Sequence, residues 1–203
     1  MILTLTGASG AGKTTIAKEL LQRLSVDAQM VPSYTIRKFR KPRPTDLPGE
    51  YKHISRFRFW LLKKIGAFLW TAYPHGNSYG TTKRWVIKAL KDDNTIYIMI
   101  LLSDAIKKLN EFAEKTYCSS QVFSFYILSP EREILKERLR SRGDDEGEIE
   151  KRLKDCIKWD SEAKTSGMPY EFVKNDSTIE AVTTEVKISF LRELDDGGND
   201  DCF

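Results

Sequence analysis

Residues Gly7 to Thr14 read Gly7-Ala8-Ser9-Gly10-Ala11-Gly12-Lys13-Thr14, a complete G-x-x-x-x-G-K-[ST] spacing. Each residue type in it suits phosphate chemistry. The glycines let consecutive backbone N–H groups turn inward around phosphate oxygens. Lys13 supplies a point charge for the β- and γ-phosphates, and Thr14 a hydroxyl for Mg²⁺. A helix starting at the end of this loop would add the positive end of its dipole. The plain alternative is a chance glycine-rich turn, and the flanking residues argue against it.

Those flanks are the elements the chemistry needs. Ile2 to Thr6 is a short apolar, β-branched run that reads as a buried strand. Thr15 to Leu24 places Ile16, Leu20, Leu21 and Leu24 on one helical face. Strand, glycine turn and helix together point to a bound nucleoside triphosphate. Further along, Ala28–Val31, Thr95–Leu102, Val122–Leu128 and Tyr170–Val173 read as strands. Thr82–Leu90, Asp104–Glu114, Pro130 to about Arg140, Glu148–Ala163 and Thr178–Leu194 read as helices, with Pro130 in a first turn. Ile54–Tyr73 carries many aromatics and gives no clear period. Alternating strands and helices predict an α/β fold with a parallel sheet covered on both faces.

Composition sets outer bounds. The 203 residues can bury one domain core, and the net charge of +4 is mild. Cys118, Cys156 and Cys202 form no C-x-x-C pair, so neither a zinc site nor a disulfide framework is indicated. A reducing cytoplasm is the simplest setting. No apolar run approaches membrane-spanning length, and the first residues do not read as a signal peptide. The end of the chain, Asp195–Phe203, is acidic and is expected to be a disordered tail.

Six separated segments, in order, resemble guanylate kinases. After the phosphate loop come Ser33-Tyr34-Thr35-Ile36-Arg37-Lys38-Phe39-Arg40 (family S-x-T-T-R-x-x-R) and Gly49-Glu50-Tyr51-Lys52-His53-Ile54-Ser55 (G-x-x-Y-x-F-V-S). Then follow Gly76-Asn77-Ser78-Tyr79-Gly80-Thr81 (G-N-Y-Y-G-[ST]), and Arg138-Leu139-Arg140-Ser141-Arg142-Gly143 with Lys151-Arg152-Leu153 (lid R-L-x-x-R-G…R-R-L). Val173-Lys174-Asn175-Asp176 (V-x-N-D) completes the set.

The resemblance implies a P-loop NTPase three-layer sandwich with a parallel central sheet, a small acceptor-binding subdomain and an arginine-bearing lid. It implies one domain over 1–194, with a core at about 1–32, 82–140 and 164–194, an acceptor-binding insertion at about 33–81 and a lid at about 138–152. ATP with Mg²⁺ would sit on Gly7 through Thr15, with Thr14 at the metal and Asn175 at the adenine. Ser33, Arg37, Arg40, Tyr51, Tyr79 and Thr81 would hold the acceptor nucleotide, and two arginines three residues apart can fork onto one phosphate. Arg138, Arg142 and Arg152 would join Lys13 in neutralising charge on the moving phosphoryl group. The bland readings are a solvated basic loop over Arg37–Arg43, helix-surface arginines in the lid, and a turn role for Asn175.

Two places depart from the family. The acidic residue that precedes G-N-Y-Y-G and reads the guanine edge is Trp70 here. The family's D-I-D at the end of the central strand, where one aspartate supports the Mg²⁺ region and the other reads guanine, is Met99-Ile100-Leu101 here. Asp104 is the nearest carboxylate, and it either supports the metal through water or caps the next helix. The donor half therefore reads as intact and the acceptor half as altered.

The resulting expectation is an ATP-dependent phosphotransferase with GMP or dGMP as default acceptor. A sugar-phosphate acceptor, as in ribose 1,5-bisphosphate kinases, is one alternative. Arg56-Phe57-Arg58-Phe59-Trp60 with Lys63 and Lys64 interleaves bases and aromatics, so a nucleotide within nucleic acid is another, set against ordinary amphipathic helix core. A non-catalytic binding module is the third, and Lys13 and Thr14 argue against it. The expected partners are a nucleotide or other phosphorylated small molecule, with no membrane, in a monomer or homodimer.

Overall fold

The computed structural model describes residues 1–24, 26–37, 47–73, 76–116, 118, 121–141 and 143–197. Arg40 and Arg142, and the tail beyond residue 197, lie outside the described residues. Nine strands and seven helices are described: β1(Ile2–Gly7), α1(Lys13–Arg23), β2(Asp27–Met30), β3(Ser33–Thr35), β4(Tyr51–His53), α2(Arg56–Lys64), β5(Phe68–Ala72) and β6(Tyr79–Thr82) come first. Then follow α3(Lys83–Lys91), β7(Thr95–Ile100), α4(Ser103–Lys115), β8(Val122–Leu128), α5(Arg132–Ser141), α6(Glu146–Thr165), β9(Tyr170–Lys174) and α7(Ile179–Gly197).

The strands form two sheets. The larger has the order β2-β7-β1-β8-β9, and every pairing in it is parallel. Such strands are buried on both faces, which is why Thr95–Ile100 and Val122–Leu128 are nearly continuous apolar runs. Period-2 alternation sorts their side chains. Leu3, Leu5, Ile96, Ile98 and Phe125 pack with Ile16, Leu20, Val182, Val186 and Phe190 of α1 and α7. Ile2, Tyr97, Met99 and Tyr126 pack on the other side with Val86 and Leu90 of α3 and Ile106 and Leu109 of α4. The result is the three-layer α/β sandwich that the sequence predicts.

The smaller sheet has the order β4-β3-β6-β5, with β3 parallel to β4 and antiparallel to β6. Helix α2 seats on it through Phe59, whose ring lies 4.8 Å from that of Phe68. Three boundaries differ from expectation. α5 begins at Arg132, so Pro130 precedes the helix rather than sitting in its first turn. α7 runs to Gly197, so the first three residues assigned to the tail are helical. Asp104 lies in the first turn of α4, but Leu102 is the cap residue and no side chain caps that helix. Among the described residues no helix is long and apolar enough to cross a membrane.

Candidate active site

The loop between β1 and α1 is shaped by its glycines. Gly10 and Gly12 have φ of 91° and 96°, where only glycine is at ease. A Cβ on Gly12 would lie 2.2 Å from Asn175 Nδ2, and one on Gly7 would lie 2.3 Å from the Ile127 carbonyl. The backbone is thus pressed against β8 and the end of β9, and the loop curls over the start of α1. That helix has Gly12 as its cap residue, no capping side chain and no acid in its first turn. Its N-terminal amides present an uncompensated positive end, which is what an anion takes.

Lys13 is the first residue of α1, and its Nζ donates to the carbonyls of Gly7 and Ala8 at 2.8 and 2.7 Å. The ammonium is therefore folded back over the mouth of the loop. Thr14 and Thr15 follow on the first turn, half-buried and exposed respectively. Ser9 is half-buried, while Ala8 and Ala11 are fully buried and anchor the loop from below. Among the described residues no group of three or more His, Cys, Asp or Glu could hold a metal. Magnesium keeps several waters and takes phosphate oxygens, so a single hydroxyl such as that of Thr14 suits it.

The helical pair α5–α6 rests directly on this loop. Leu135, Leu139, Ile149, Leu153 and Cys156 form a small core with Ala8. Burial pushes the Cys156 thiol above its ordinary range, which leaves it a packing residue. This seat brings two of the expected arginines to the glycine-rich loop. Arg152 Nη1 lies 3.3 Å from Ser9 Oγ and 3.0 Å from Asp144 Oδ2. Arg138 Nη1 lies 4.0 Å from where a Cβ on Gly12 would stand. Asn175 is 2 % exposed, and its Nδ2 donates to the Ala11 carbonyl at 2.7 Å. That bond ties the residue expected at the adenine to the loop.

The described residues expected at the acceptor gather on the smaller sheet. Register puts Ser33 beside Tyr51 and Thr35 beside Tyr79. The Tyr51 and Tyr79 rings are 5.8 Å apart, and the Arg37 guanidinium lies 5.1 Å from the Tyr51 ring. Arg37 Nε and Thr81 Oγ1 are buried, with no hydrogen-bond partner among the described residues. Buried polar atoms of that kind call for a partner, and a bound phosphate would supply one.

The divergent positions also come together. Trp70, Met99 and Leu101 are 6 %, 2 % and 7 % exposed and belong to one apolar cluster with Val31 and Val86. A cleft lined by Val31, Ser33, Glu50, Tyr51, Met99 and Leu101 opens beside it. Glu50 is the one carboxylate in that lining and is 9 % exposed. Its Oε2 accepts from the Leu47 N–H at 3.3 Å. Burial, then the Glu50 charge and hydrogen bond, push the Tyr51 phenol far above its ordinary range. Sequence reasoning missed Glu50. The available signal was an acid next to the tyrosine of a phosphate-gripping segment.

Comparison with known proteins places this arrangement among relatives. The sequence profile described as Guanylate kinase matches residues 1–193. The guanylate kinase of Trichormus variabilis is 36% identical over 154 residues, 75% of this chain and 72% of that protein. That of Clostridioides difficile is 36% identical over 155 residues, 75% of this chain and 70% of that one. The crystal structure of guanylate kinase from Anaplasma phagocytophilum aligns with a TM-score of 0.67 at 21% identity, covering 95% of this chain and 85% of that one. That last likeness speaks to the fold.

Proposed function

The chain belongs to the guanylate kinase family, and from that premise we propose that it moves the γ-phosphate of ATP to a nucleoside monophosphate through an acceptor pocket that lacks the family's base-reading acids. GMP or dGMP is the default acceptor. The loop amides and Lys13 hold the donor's β- and γ-phosphates. Arg37, Ser33, Tyr51 and Tyr79 hold the acceptor phosphate, with Arg40 from the adjoining segment. An oxygen of that phosphate attacks the γ-phosphorus in line, and the bond to the bridging oxygen breaks to leave ADP. Arg138, Arg142 and Arg152 neutralise the charge that develops, so catalysis is positioning plus electrostatics. Magnesium at the Thr14 hydroxyl and the phosphate oxygens would supply further charge neutralisation. We place the protein in the cytoplasm, which suits the free thiols of Cys118 and Cys156.

The observation that carries the acceptor reading is the joint burial of Trp70, Met99 and Leu101 in one apolar cluster. The family's acids at two of these places hydrogen-bond the guanine edge. A site built to do so rejects analogues lacking that edge by about 10⁴–10⁵, whereas an apolar wall discriminates by about 10–200. A coupled ADP-release assay across nucleoside monophosphates tests this. The GMP-to-AMP ratio of kcat/KM should fall below about 10³. A ratio near 10⁴ would overturn the reading of these three residues.

A further inference from the structure

The strand–helix stretch from Tyr51 to Lys91 carries nine lysines and arginines and no aspartate or glutamate. Elsewhere the balance runs the other way, 24 basic residues against 29 acidic. The mild net charge therefore hides a strongly basic stretch, which runs through α2, the smaller sheet and α3.

Helix α2 displays the most unusual part of it. At 100° per residue, Phe57, Trp60, Leu61 and Lys64 fall on one stripe, opposite Phe59, which seats the helix. That outward stripe is where a surface helix ordinarily places polar residues. Here Phe57 is 70% exposed, Trp60 53%, Leu61 41% and the following Ile65 65%. Phe57 and Trp60 stack at 5.9 Å with an interplanar angle of 28°. Only Phe59 of these aromatics serves the core, so the ordinary account of the segment covers one ring of three. Arg56 and Arg58 flank the stripe.

Two ring–ammonium pairs repeat along this helix, one on the outward stripe and one at its edge, where Lys63 meets Tyr73. Lys64 Nζ lies 5.0 Å from the Trp60 ring centre. Lys63 Nζ lies 5.3 Å from the ring of Tyr73, itself 57% exposed, and donates to its hydroxyl at 3.0 Å. A ring offers a stacking face for a base, and the ammonium beside it offers a partner for the adjoining phosphate. We infer that the outer face of α2, with Tyr73, is a docking surface for single-stranded nucleic acid, separate from the cleft where phosphoryl transfer occurs. Charge complementarity selects an anionic partner. The pairing of each ring with its own ammonium matches alternating bases and phosphates, a spacing that a lipid surface does not call for. A second copy of the chain would set like charges against each other.

The test is fluorescence anisotropy of the whole protein with a labelled 15-nucleotide oligothymidylate. If Arg56, Arg58, Lys63 and Lys64 each meet a phosphate, log affinity falls with log salt at a slope of about −3, close to a 50-fold loss between 50 and 200 mM. The charge reversal K63E/K64E and, separately, Trp60→Ala should each weaken binding by about tenfold or more. Both should leave kcat/KM for the nucleoside monophosphate unchanged. The wild-type salt titration needs no variant, so misfolding cannot mask the answer. Four results overturn the proposal: no binding at 50 mM salt; inorganic polyphosphate bound as tightly as the oligonucleotide with W60A weakening neither; adsorption to vesicles of phosphatidylcholine with 30% phosphatidylserine and none to the oligonucleotide; or self-association that W60A abolishes.

Discussion

At the scale of single residues, Asn175 shows how position decides role. Its amide is buried and donates to the Ala11 carbonyl, while its Nδ2 stands where any side chain on Gly12 would have to go. Replacing it with alanine leaves that carbonyl without a partner, at a cost of about 1–3 kcal/mol. The loop loses its brace whichever base the donor carries. Asn175→Ala should therefore lower kcat/KM for ATP and for GTP by the same factor, on the order of tenfold, measured as ADP or GDP release. A shift in the ATP-to-GTP ratio would instead mean that the amide touches the base. The phosphate loop was readable because every type in it is fixed by the chemistry of phosphate. Glu50 was not, because one buried carboxylate has no spacing to betray it. Trp70 and Leu101 were readable as absences of acid, yet their burial in one cluster with Met99 and Val31 appears only in three dimensions.

At the scale of elements, the core strands and helices were legible and the smaller sheet was not. β1, β7 and β8 are buried on both faces, so their apolar runs carry the signal alone. β3 and β4 have three residues each, and β5 and β6 only four or five, with exposure varying from one residue to the next. Too few turns of any period exist there, and pairing across long sequence separations decides the structure. α2 hides its own period, since its outward stripe is as apolar as an inward one.

The turn between α3 and β7 offers a test on the element scale. The Tyr97 hydroxyl on β7 donates to Asp92 Oδ2 at 2.6 Å, tying the strand to the end of α3. Burial, then the hydrogen bond and charge of Asp92, push the Tyr97 phenol from 10.0 up to about 12. The same bond holds the Asp92 carboxyl below its usual range. A raised phenol binds its proton more tightly in the folded chain. Its stabilisation is fully present below pH about 10 and is lost as pH rises from there toward about 12. The depressed Asp92 contributes at neutral pH and loses that contribution as the medium turns acid. Urea denaturation across pH should thus show wild-type stability falling above pH about 10, with a shallower fall in Tyr97→Phe. Identical alkaline slopes in the two proteins would dissolve the link.

At the scale of the whole molecule, two bodies of opposite electrostatic character meet around one cleft. The larger sheet carries the loop we assign to the donor, with α5 and α6 resting on that loop through Leu135, Leu139 and Cys156. The smaller sheet carries the residues we assign to the acceptor and, with α2 and α3, most of the excess positive charge. Donor binding then stabilises the molecule mainly through one body, and a ligand that binds only the folded state adds about 2.7 kcal/mol at 100 times its Kd. For a chain of this length that corresponds to a rise in Tm of about 5–10 °C. Lys13 is central to that gain, since its ammonium already spans the Gly7 and Ala8 carbonyls at the mouth of the loop. Lys13→Ala should remain folded, lose ADP release from ATP, and lose most of the ATP-dependent rise in Tm. The acceptor's own stabilising effect should persist in that variant, because Arg37, Tyr51 and Tyr79 are untouched. If ATP still raised the Tm of the variant by the full amount, or if turnover survived, the loop would not be the donor site and the division between the two bodies would have to be redrawn.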